Sequence, residues 1–319
     1  MTMINKHTIL LVALMAFLAP VCSFAAELGD PAPPLTVKKW IKGNPVNVKA
    51  GTNIYVLVFC TLSRANDFAL TNLSILQKIY RDKGVVVVAI SDESPEPLKE
   101  FVQLKGPEIE FTAAADDDGS RTEVNYQRAF KQVALPRAYV VGKDGKVLWH
   151  GHPLTGGMGE VVDEITSGHY NMEQTQNNIM ASEQMERYLA LARLDDANSA
   201  MAGRKLLTAR TNDAAKLCDL ASKIATDPFI VKRDVALASE ALDRAEQLAT
   251  TNTTDIAVVR AILLYQTGKK EEGLARARQA LASAQNPEAK EEVQVCIHAM
   301  EVGLAAEKTN QNTAPVGKP

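Results

Sequence analysis

The sequence predicts an α/β domain built on a mixed sheet, followed by an all-α domain. Three observations carry this reading. Between about residues 54 and 150, short apolar runs rich in β-branched residues alternate with segments of helical periodicity. The last two runs are joined by Gly142-Lys143-Asp144-Gly145, hairpin chemistry that makes them antiparallel neighbours in a sheet otherwise built by helical crossovers. After Ser167 the strand-like runs vanish, and Ala and Leu at helical spacing persist to about Glu307.

The elements of the first domain follow in order. A Pro-rich lead, "LGDPAPPLTVKKW", ends in a short extended segment around Val37 to Trp40, with a turn at Gly43, Asn44 and Pro45. Ile54 to Phe59 is apolar throughout and flanked by turn formers, as a strand buried on both faces requires. From about Arg64 to Lys83, Ala69, Leu73, Leu76 and Tyr80 recur at helical spacing and Gly84 closes the segment. Val85 to Ile90 is a second buried strand, and a helix opened by Ser94 and Pro95 stops at Gly106. A strand near Phe111, a helix from Ser120 to Phe130, strands Ala138–Val141 and Val147–His150, and a helix from about Gly159 to Ile165 complete the unit. Tyr126 and Trp149 are expected to pack in its core.

The first residues carry a different signal. Lys6 precedes an unbroken apolar stretch from Ile9 to Ala19 and then small residues, which reads as a secretory signal peptide over 1–25, cleaved after Ala25 or Ala26. The protein is then expected in the periplasm or cell envelope. Membrane attachment would follow only if Cys22 were lipidated, and Ala19, Pro20 and Val21 fit a lipobox poorly. Without Cys22, an odd set of thiols remains: Cys60, Cys218 and Cys296, with no Cys-x-x-Cys spacing and no legible disulfide framework. A net charge of −3 with Lys and Arg spread along the chain leaves no footprint for nucleic acid.

Within the helical region, Ala257 to Leu281 has a helix-turn-helix pattern with Ala261, Leu264 and Tyr265 on one helix, Gly268 at the turn, and Gly273, Ala277, Ala280 and Leu281 on the next. This resembles a tetratricopeptide repeat, and Asp234 to Ala249 looks like the second helix of a preceding unit. The expected domains are therefore 26–168 and 169–307, with a disordered polar tail over 308–319.

The first domain resembles periplasmic thioredoxin-fold proteins of the TlpA-like, or redoxin (AhpC-TSA-type), family. The resemblance rests on "LGDPAPPL", "VLVFCTLSRANDFALTNLSILQKIY", "GVVVVAIS" and "VALPRAYVVGKDGKVLWHGHP" in family order. It implies a thioredoxin-like fold with a redox Cys-x-x-Cys pair at the start of the first long helix. Here that place reads Ser63-Arg64-Ala65-Asn66. Thiol exchange needs a thiolate to attack and a second sulfur to resolve the mixed disulfide, and neither Ser63 nor Asn66 supplies one. Ser63 is instead expected to cap the helix. No catalytic residue is expected.

The resemblance also implies a cis bond at Leu135–Pro136, facing the active-site loop and bordering a peptide groove. Two functions follow. One is a non-redox module that binds a protein or peptide partner through Ser63, Arg64, Ala65, Asn66, Leu135 and Pro136. The other is a thiol-disulfide oxidoreductase acting through Cys60, at the strand end. No cofactor or metal is expected: the carboxylates of "AAADDDGS" lack calcium-loop spacing and read as a polar turn capping a helix. The His150 and His152 pair has no third ligand nearby.

Overall fold

The computed structural model describes residues 26–64, 67–132, 135–154, 157–210, 212–250 and 253–313. The expected signal peptide, Ala65 and Asn66 lie outside these residues. The chain forms two compact units that divide between Ile179 and Met180. The division falls inside one continuous helix, Met172–Arg193, later than the expected 168/169. The reason is packing: Ile179 belongs to the core of the first unit, whereas Met185 and Tyr188 belong to a core of the second.

The first unit contains β1 (Lys39–Lys42), β2 (Ile54–Phe59), α1 (Asp67–Tyr80), β3 (Val85–Ser91), α2 (Pro95–Lys105), β4 (Thr112–Ala115), α3 (Arg121–Ala129), β5 (Arg137–Val141), β6 (Val147–Gly151) and α4 (Met158–Ser167). The strands form one sheet in the order β1-β4-β3-β2-β5-β6. Strands β2, β3 and β4 run parallel, while β1 pairs antiparallel with β4, β5 with β2 and β6 with β5. Every residue of β2 is buried because both faces of the sheet are covered. Val56 and Val58 pack with Leu70, Leu73, Leu98, Val102 and Val162, from α1, α2 and α4. Tyr55, Leu57 and Phe59 face the other way, toward Tyr126 and Phe130. Tyr126 and Trp149 are both core residues.

Local chemistry sets the helix ends. Pro95 sits at the start of α2, where its missing N–H costs nothing, and Gly106 closes it with an N–H to the Val102 carbonyl. The acidic run before α3 is a cap: Asp116 Oδ2 accepts from the Glu123 N–H at 2.9 Å and Asp117 Oδ1 from the Arg121 N–H at 2.9 Å.

The second unit continues from Met180 through the rest of α5 (Met172–Arg193) into α6 (Ser199–Ala209), α7 (Ala214–Thr226), α8 (Val235–Leu248), α9 (Thr253–Gln266), α10 (Lys270–Ser283) and α11 (Pro287–Thr313). Asp213 and Asp234 cap α7 and α8 by accepting from the Lys216 and Leu237 N–H groups. Helix α7 pairs with α8 and α9 with α10, and α9 also packs on α7 and α8, so successive helix pairs stack. At the α9–α10 crossing a Cβ on Gly273 would lie 2.7 Å from the Ala261 carbonyl oxygen, so the small residue there is what lets the two backbones meet. The segment expected as a disordered tail begins too early: α11 runs to Thr313, because no proline interrupts the helix before Pro315. Among the described residues, no helix is long and apolar enough to cross a membrane.

Candidate functional site

Strand β2 ends at Phe59, and the chain then turns across the edge of the first unit's core. The Cys60 N–H donates to the Ile90 carbonyl at 3.2 Å, extending the pairing of β2 with β3 by one residue. Leu62 to Arg64 form a single 3-10 turn pinned by the fully buried Leu62 side chain. The Leu62 N–H donates to Ser91 Oγ at 3.2 Å, and the Ser63 N–H donates to Glu93 Oε2 at 3.0 Å. Ser91 Oγ donates to the same carboxylate oxygen at 2.7 Å.

This corrects the expectation that Ser63 caps the helix. Ser63 lies in the 3-10 turn, α1 begins only at Asp67, and the Ser63 hydroxyl is engaged with Glu93. The loop is therefore clamped from the β3–α2 connection by Glu93, which is not among the candidate residues of the sequence analysis. Partial burial pushes the Glu93 carboxyl up, but the hydrogen bonds from Ser63 and Ser91 outweigh this and hold it below its ordinary range.

Beside this loop is an apolar pocket of about 320 Å³, the size of a small ligand site. The end of β2 contributes Val58 and Cys60, the turn contributes Thr61, Leu62 and Arg64, and α1 contributes Ala69 and Leu73. Leu135 and Pro136 close one side, with Pro153 and Leu154 beyond β6. The Leu135–Pro136 peptide bond is cis. Leu135 is 38% exposed at the mouth. The fold thus brings together Cys60, Arg64, Leu135 and Pro136, four of the residues singled out from the sequence. Ser63 turns away from the pocket to Glu93, and Ala65 and Asn66 lie outside the described residues.

Cys60 is the pocket's only thiol among the described residues, and its chemistry is suppressed. It is 9% exposed. Burial, reinforced by the negative charges of Glu93, Asp92 and Glu123, pushes its pKa up to about 12. Cys218 on α7 and Cys296 on α11 belong to the second unit, and burial raises both of their pKa values as well. All three described thiols are unpaired.

The two histidines of "WHGHP" separate in role. His150 on β6 lies opposite Tyr139 of β5, and its ring packs tilted against Phe130 and Tyr139, with centroids 5.5 Å and 6.1 Å away. Its Nδ1 is buried with no hydrogen-bond partner among the described residues. Burial, helped by the neighbouring Arg137 guanidinium, lowers its pKa to about 4. His152 Nδ1 accepts from the Leu154 N–H at 3.2 Å. Among the described residues, no three His, Cys, Asp or Glu side chains group closely enough to hold a metal ion.

Residues 28–150 match the AhpC/TSA family. That span covers all six strands except the last residue of β6, so the similarity to that family lies in the first unit, whose mixed sheet and helices have a thioredoxin-like fold, and the C-terminal helices lie outside the match. Protein FixW of Rhizobium leguminosarum is 23% identical over 180 residues, covering 53% of this chain and 79% of FixW. Among solved structures, a putative thiol:disulfide interchange protein DsbE from Chlorobium tepidum is 20% identical, with 46% of this chain and 100% of that chain covered and a TM-score of 0.36. An uncharacterized conserved protein from Geobacillus kaustophilus is 24% identical, covering 45% of this chain and 84% of its own, with a TM-score of 0.35.

Proposed function

We propose that the redoxin-type domain is a binding module of an exported protein, which holds an extended protein or peptide segment and exchanges no disulfide with it. The observation that carries this reading is the pocket itself: an apolar recess beside Leu135 and Pro136, with serine at the position of the attacking thiol. A recess lined by Val58, Leu62, Leu73, Leu135 and Leu154 gains free energy by taking an apolar side chain out of water, at about 25 cal/mol per Å² of apolar surface removed. The stacked helix pairs of the second unit supply a further surface of the kind that binds partner proteins. Export rests on the charged, apolar and small-residue pattern of residues 1–25.

Filling the recess tests the proposal. Ala69 lies on α1 at the pocket wall, so Ala69→Phe places a ring in the space meant for the ligand. Binding of a fluorescein-labelled extended peptide bearing a central Leu should weaken at least tenfold, with the far-ultraviolet circular dichroism unchanged. Equal binding by the variant and the natural protein would place the ligand elsewhere.

A second reading has one observation in its favour. Cys60 lines the same pocket, so a substrate disulfide bound there would meet a sulfur. In that reading the protein is a thiol-disulfide oxidoreductase working through Cys60, and the thiol would have to ionise against the burial and carboxylates around it.

A further inference from the structure

We infer that the segment bound in this pocket carries a carboxylate two residues after its buried apolar side chain, and that Arg64 receives it. The inference rests on the binding reading above and narrows the partner to an apolar-x-acidic sequence. Among the described residues lining the pocket, Arg64 is the single charged one, and it is exposed at the edge. Its backbone is fixed, since its N–H donates to the Thr61 carbonyl at 3.1 Å and closes the 3-10 turn.

Its guanidinium has no ion-pair partner among the described residues, whereas Arg81 and Arg121 of the same unit are paired with Glu110 and Asp117. The acidic group of the loop, Glu93, is already engaged by Ser63 and Ser91. A forked donor without an ion-pair partner among the described residues, at the mouth of an otherwise apolar recess, matches a ligand with a greasy body and an anionic neighbour. The position also fits the spacing of an extended chain. Successive side chains of such a chain point to opposite sides, so residues two apart share a side: with one in the recess, the second residue on faces the same edge and reaches toward Arg64.

The test uses the natural protein and three peptides of equal length, identical except that the residue two positions after the central Leu is Glu, Gln or Lys. The Glu peptide should bind about threefold to fivefold more tightly than the Gln peptide, the scale of an exposed ion pair, and the Lys peptide more weakly still. Arg64→Glu should reverse the order in favour of the Lys peptide, and Arg64→Gln should level it. Salt near 0.5 M should shrink the differences. If the three peptides bind equally and Arg64→Glu leaves their ranking unchanged, the assignment to Arg64 is wrong while the apolar groove stands. Failure of all three to bind the natural protein overturns the groove and the assignment together.

Discussion

At pH 8, Cys60 should be alkylated by iodoacetamide roughly a thousandfold more slowly than an unperturbed thiol. The factor follows from its pKa, pushed from 9.0 up to about 12 by burial and by the carboxylates of Glu93, Asp92 and Glu123. Each unit of pKa above ambient pH lowers the reactive thiolate fraction tenfold, and the thiolate alone is the nucleophile. Steric shielding slows the reaction too, so the pH profile separates the two causes. An unperturbed thiol stops gaining reactivity near pH 9, while Cys60 should keep gaining about tenfold per pH unit beyond it. Mass spectrometry of the peptide containing Cys60 reads both quantities. A rate within tenfold of a free thiol, levelling off below pH 9, would mean that the thiol is activated.

The second large effect is on stability in weak acid. His150 sits neutral against Phe130 and Tyr139 with the Arg137 guanidinium nearby, and its pKa in the folded protein is lowered from 6.5 to about 4. The unfolded chain therefore takes up a proton near pH 6.5 that the folded ring refuses until about pH 4. Stability is fully present above pH 6.5 and declines as pH falls toward 4, by at most about 3 kcal/mol from this group. Below that window, carboxylates held down in the folded state, such as Glu93 and Asp227, add their own losses. Urea unfolding at pH 7 and pH 4.5 should show the decline, and His150→Gln should flatten it. A natural protein equally stable at both values would show that the ring protonates freely where it sits.

The strands and helices of the first unit are legible in the chain because burial there leaves simple patterns. Ile54 to Phe59 is apolar at every position because both sheet faces are covered, and Gly106 marks a helix end by its chemistry alone. The pocket was legible in part. The resemblance pointed to Arg64, Leu135 and Pro136 beside Cys60, and all four line it. The role of Glu93 is not legible in the chain because it depends on the β2–β3 register, which carries the loop after β2 to a residue thirty positions later. A Ser-x-Glu directly after a buried strand was the available signal, and it has no meaning until that register is known. His150 shares one strand face with His152 by alternation, with no third ligand nearby in the chain. Its actual surroundings come from α3 and β5, which no local pattern could supply.

Insulin reduction distinguishes binding without disulfide exchange from catalysis in the thioredoxin-like domain. The protein, with dithiothreitol as the electron source, should precipitate insulin chains no faster than dithiothreitol alone. Cys60→Ser should leave that rate unchanged. Turnover well above the background that disappears in Cys60→Ser would contradict the account and make Cys60 the working thiol of an oxidoreductase.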